Sequence, residues 1–149
     1  MSSTAFQRIT DGLKAALVSG APVAGGAVFK NRLRALSASQ NSAVVLAFKS
    51  AAGLEISLGA TDWTSEFEVE CYGRATAAAA DPTDTADALL AAVWPRLVAA
   101  SMPGLAVMQI AANPNIIWQD ADAETPMSCA SFRLVVLHRT ASNSLLPLV

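Results

Sequence analysis

Few residues in this chain have the means to do chemistry, and their spacing assigns most of them to structure. His138 is the single histidine, so any Ser-His-Asp or Cys-His nucleophile system would have to use it. It stands near the end of a strand pattern with Arg139 beside it and reads as a surface histidine. Cys71 and Cys129 are far apart in sequence, each within a strand pattern, and read as two inert core thiols. Asp81, Asp84 and Asp87 recur every three residues, while Asp120, Asp122 and Glu124 alternate, so either set could be drawn around a hard cation. Neither has the glycine and ligand ladder of a calcium loop. Helix capping accounts for the first set and a solvated hairpin tip for the second. Gly25-Gly26 lacks the Lys and Ser/Thr of a phosphate loop. Glu66, Glu68 and Glu70 could act as paired acids, but the solvent side of a strand explains them more simply. The expectation is no catalytic set, no metal site and no cofactor.

The elements that position these residues can be read from periodicity. In Glu66-Phe67-Glu68-Val69-Glu70-Cys71-Tyr72, the apolar residues take one side of an extended chain and the glutamates the other, which predicts a half-buried strand over 64–73. After an Ala-rich spacer, Asp81-Pro82-Thr83-Asp84 opens a helix: Asp81 can cap, Pro82 suits the first position and Asp84 favours the positive end of the dipole. Ala86, Leu89, Leu90, Val93 and Leu97 form its core stripe, and Ala91, Trp94 and Val98 form a second apolar stripe beside it. Pro95 is expected to kink or end this helix near Trp94.

At the N-terminus, Thr4-Ala5-Phe6-Gln7 has capping-box spacing. Ile9, Leu13, Ala16 and Leu17 then repeat helically until Gly20. A connector follows, then an extended arm on which Lys30, Arg32 and Arg34 alternate onto one side, then an exposed polar loop over 37–42. Ala43-Val44-Val45-Leu46-Ala47-Phe48 predicts an internal strand. Ser50-Ala51-Ala52-Gly53 predicts a turn, with Leu54, Ile56 and Leu58 on the returning arm of a hairpin. Residues 106–111 and 116–119 flank Asn113-Pro114-Asn115, and 127–140 is the longest strand candidate. The tail Leu145-Leu146-Pro147-Leu148-Val149 is expected to dock on this domain or on a neighbour. The order is that of one α+β domain over 1–149: a mainly antiparallel β-sheet, two principal helices packed on one face, and residues 141–149 as a C-terminal tail.

Composition narrows the function class. The chain is 53% hydrophobic and only 15% charged, with a net charge of −2. It therefore has no basic field for gripping nucleic acid. The mean hydropathy of +0.40 is high for a chain in water, which suggests apolar surface that another subunit covers. No run approaches the roughly 20 apolar residues of a membrane span, and Arg8, Asp11 and Lys14 interrupt any signal-peptide pattern. The reading is a non-secreted protein without a membrane partner.

The order of these segments resembles the tail terminator proteins of long-tailed bacteriophages, the minor tail U group. The resemblance runs from Phe6 to Thr140. It takes in the amphipathic first helix, Val28-Phe29, the polar loop, Glu66 to Gly73, the capped helix, a late hairpin with Ile117-Trp118-Gln119, and the closing Leu137-His138-Arg139-Thr140. His138 stands where that family often has Tyr. The resemblance implies a non-enzymatic virion protein, present in the host cytoplasm during assembly and afterwards in the tail. Its copies would close into a ring, typically of six, that caps the tail tube, ends polymerisation and receives the head. It implies as partners other copies of the chain, the major tail tube protein and a head-completion protein, with DNA passing through unbound. Ala91, Trp94 and Val98, with Leu145, Leu146 and Leu148, would supply subunit contacts. Glu66, Glu68 and Glu70 would face the lumen, and Lys30, Arg32 and Arg34 would grip the tube or head. The alternatives are a head-tail joining or head-completion protein, or a small-molecule-binding α+β module with a pocket at His138 or Cys71.

Overall fold

The computed structural model describes residues 3–31, 39–57, 59–78, 80–121 and 126–148. Helix α1 spans Ala5–Val18, and Thr4 caps it by accepting from the Gln7 amide at 3.3 Å. The reciprocal half of the capping box is not made, because the Gln7 side chain reaches forward to Asp11 instead. The helix buries Ile9, Leu13 and Leu17, and it stops at Ser19, before Gly20 at φ 68°. After a short 3₁₀ turn over Val23–Gly26 come β1 (Val28–Lys30), β2 (Ser42–Ser57) and β3 (Ala60–Arg74). Then follow α2 (Pro82–Val98), β4 (Val107–Ala112), β5 (Ile117–Ala121) and β6 (Met127–Ala141).

One sheet holds all the strands in the order β1-β2-β3-β6-β4, with β5 also on β6. Among the described residues only β1 runs parallel to its neighbour; the other pairings are antiparallel. Strict alternation decides what faces the core. Val44 and Leu46 of β2, Phe67, Val69 and Cys71 of β3, and Ala130, Phe132, Leu134 and Val136 of β6 join the buried faces of both helices in one cluster. Both helices therefore cover the same face, and the architecture is α+β as expected. Gly73 permits the closest approach: a Cβ there would lie 2.4 Å from the Ala86 amide nitrogen, so only glycine lets α2 start against β3.

Several expectations give way to specific contacts. The chain does not turn at 50–53. Strand β2 runs straight on to Ser57, with bulges near Lys49 and Ile56, and at 16 residues it is one longer than β3 and β6. Gly53 serves packing, since a Cβ there would lie 2.8 Å from Trp63 Cζ3. The turn falls at Gly59, φ 93°. Ser42, expected in the polar loop, opens β2; residues 37 and 38 lie outside the described residues. Pro95 does not end α2, which continues to Val98. Segments β4 and β5 do not form a hairpin with each other. Both pair with β6, end to end along one edge, and the hairpin is β5 with β6.

Arg96, in the last turn of α2, donates to the carbonyls of Leu17 (3.1 Å), Ser19 (3.3 Å) and Ala21 (2.6 Å). Helix α1 has no basic residue in its own last turn. Arg96 thus satisfies carbonyls that a helix end leaves open. The tail docks on its own domain through backbone: Ala5 N–H donates to the Leu145 carbonyl at 2.8 Å, and Pro147 bridges Thr140.

Candidate assembly surface

The sheet face opposite the helices is formed by the alternate residues of β2, β3 and β6, and the glutamate stripe runs down its centre. Glu66, Glu68 and Glu70 are half-exposed. Glu66 accepts from Ser50 Oγ at 3.3 Å and Glu70 from the Tyr72 hydroxyl. Glu68 has Lys49 at 3.4 Å and Arg133 at 3.8 Å. Further along, Asp62 and Arg139 form a two-pronged ion pair at 2.6 and 3.1 Å. Among the described residues the face is therefore mixed in charge, with the carboxylates of Glu66 and Glu70 set beside neutral hydroxyl donors. Burial, then the Glu70 carboxylate, pushes the Tyr72 hydroxyl up and keeps it protonated.

The two thiols are close in space because β3 and β6 are neighbours, although Cys71 points into the core and Cys129 to the opposite face. Burial pushes both up to about 12, so neither is a nucleophile at neutral pH.

His138 is not a surface residue. It is 1% exposed, its ring stands edge-on to Phe6 at 5.3 Å, and its Nε2 lies 2.8 Å from the buried Ser65 Oγ. Alternation explains the burial: His138 shares the helix-facing side of β6 with Leu134 and Val136. A serine beside an imidazole has the form of a nucleophile and base, but burial lowers this imidazole to about 4. Both groups are sealed in the core, so the pair is packing with a hydrogen bond.

The expected subunit contacts separate into two places. On α2, Trp94 is half-buried with its ring 4.7 Å from Phe132, while Ala91 and Val98 are exposed. Ala91 and Trp94 line an apolar cleft of about 330 Å³ with Leu90, Pro95, Asp87 and Ile116. Leu145, Leu146 and Leu148 are 47%, 45% and 37% exposed. They belong to the segment bridged to Thr140, eight positions along β6 from Phe132, or roughly 26 Å at strand rise. Lys30 is engaged with Asp11 in an ion pair, which also holds the Asp11 carboxyl below its usual range. Arg32, Arg34, Asp122 and Glu124 lie outside the described residues.

Sequence reasoning missed the remaining exposed apolar side chains: Leu54 and Ile56 at the end of β2, Met108 on β4, and Ile116, Ile117 and Trp118 around β5. Leu54 and Ile56 alternate with Glu55 and Ser57 as a core-facing strand also does, and Met108 and Ile116 to Trp118 stand in apolar runs that suit a buried strand, so periodicity could not separate exposed from core-facing side chains. A groove of about 820 Å³ runs between α1 and the loop after α2, from Arg8 and Gly12 to Met102 and Leu105. No helix among the described residues is long and apolar enough to cross a membrane.

No protein-family model and no curated protein matches this chain. Among solved structures, a chain from the virion of a native gene transfer agent particle shares the fold. Its TM-score is 0.58 at 18% identity, over 92% of each chain.

Proposed function

We propose that this chain is a virion structural protein, specifically a tail terminator whose copies close into a ring on the end of a phage tail tube. The observation that carries the reading is the shared fold, over nearly the whole of both chains, with a component of a gene transfer agent virion. The surface supports it. Apolar side chains stand exposed on two opposite sheet edges, on α2 and on the tail, as a subunit needs if it meets unlike patches of its neighbours. In this reading the protein does no chemistry on a substrate. It ends polymerisation by occupying the tube end, passes DNA without holding it, and offers its other rim to a head-completion protein.

Sedimentation of the pure protein, alone and with tail tubes, tests this. The expected result is a ring-sized species, or ring formation on the tube end, with tube growth halted. A chain that stays monomeric in both settings and leaves elongation unchanged overturns the proposal. Recovery with heads but never with tubes would favour the head-completion reading instead.

A further inference from the structure

We infer that a second copy of this chain extends the sheet edge to edge, with residues 50–57 of β2 in one subunit pairing antiparallel with β4 of the next. The inference rests on the ring reading above and names the surfaces that build it. Among the described residues, β1 covers the outer edge of β2 only at Val44, Val45 and Leu46. Beyond it come Ala47, Phe48 and Lys49, whose ammonium is drawn to Glu68 on the sheet face, and from residue 50 the edge reads Ser-Ala-Ala-Gly-Leu-Glu-Ile-Ser, with Leu54 69% exposed. Edge strands that stay single are shielded by lysine, proline or a covering segment; this stretch has one charge, Glu55. At the opposite edge, β4 reads Val-Met-Gln-Ile-Ala-Ala, uncharged, with Met108 52% exposed.

The registers set these two edges at one height. Ser50, Glu66, Val135 and Ala111 form one row across the sheet, and Ala52, Thr64, Leu137 and Gln109 form another. Below them β1 shields one edge and β5 continues the other.

Strand direction selects the occupant. Strands β2 and β6 run one way, β3 and β4 the other. A copy kept upright and moved sideways therefore presents its β2 antiparallel to this β4, and the hydrogen-bond ladder continues without a break. Contact between unlike edges closes rings, whereas β2 against β2 would stop at a dimer. Charge agrees, because β4 brings no carboxylate to Glu55 while a β2 pair would set two Glu55 side chains on one ladder.

Two sets of variants test the pairing by light scattering and oxidative cross-linking, with far-UV circular dichroism as the check on folding. Leu54→Lys and Met108→Glu alter exposed side chains. Each alone should weaken oligomerisation roughly tenfold or more, and the two together should recover it. Ala52→Cys with Gln109→Cys in one chain should give a ladder of covalent oligomers that neither single variant gives. A disulfide dimer from Ala52→Cys alone, or rings indifferent to every one of these changes, overturns the edge pairing and leaves the ring reading standing. A wild-type chain that stays monomeric with and without tubes overturns both.

Discussion

Ser65 Oγ and His138 Nε2 meet at 2.8 Å inside the core, while the other ring nitrogen of His138 has no hydrogen-bond partner. The histidine is surrounded by Phe6 and the residues of β3 and β4, and the charged pair Asp62 and Arg139 lies on the far side of the sheet. Among the described residues, no carboxylate faces the ring to reward a proton on it.

Acid should therefore weaken the fold through this residue. Burial holds the imidazole at about 4, below its ordinary 6.5. The unfolded chain takes up a proton near pH 6.5 and the folded chain resists it, so stability is full above 6.5 and falls as pH drops toward 4. The full difference is roughly 3 kcal/mol. Thermal melts at pH 7 and pH 5 should show this slope in the native chain and a flatter one in His138→Gln; equal slopes would refute the assignment.

Gly73→Ala should loosen the junction of α2 with β3. The new methyl has to displace the backbone at Ala86, at a cost of about 1–3 kcal/mol. A denaturation midpoint unchanged by the substitution would show that this approach is not tight.

Val98→Glu and Ala91→Glu alter exposed positions on α2, so unfolding free energy should stay within about 0.5 kcal/mol of the parent. If the second stripe is a subunit contact, oligomers or tube capping should be lost with the fold intact, as read by light scattering and electron microscopy. Trp94→Ala should lower stability as well, because its ring also packs on Phe132.

Glu66→Lys with Glu70→Lys tests the lumen assignment while leaving the Glu68 ion pairs in place. A lumen face made basic would hold phosphate. Particles should assemble normally and eject DNA more slowly; undiminished ejection would place this face elsewhere.

Cys71 should be silent toward a thiol-specific reagent at pH 8 and react only on unfolding, since it is fully buried and burial pushes its thiol up to about 12. Fast labelling of Cys71 in a native Cys129→Ser chain would show that the sheet opens.

The sequence made local rules legible and left their competition hidden. Thr4 and Asp81 cap their helices as their spacing says, and the alternation of Phe67, Val69 and Cys71 faces the core. Gly53 was misread because its use is decided by Trp63, ten positions away, whose ring fills the space a side chain would need. His138 was misread because residue type was weighed above its parity with Leu134 and Val136. The join of β4 and β5 along β6 was hidden because Asn113-Pro114-Asn115 marks a hairpin turn as well as it marks the break between two strands on one edge. Exposed Leu54 and Met108 look in sequence like any strand's inner face, so the edges they mark needed the topology.

The reach of Arg96 to the end of α1 has a consequence for local opening. The final turn of α1 cannot fray alone without breaking contacts made from α2. In hydrogen exchange the amides of the two helix ends should deprotect together, as one cooperative unit, and Arg96→Ala should split that unit in two.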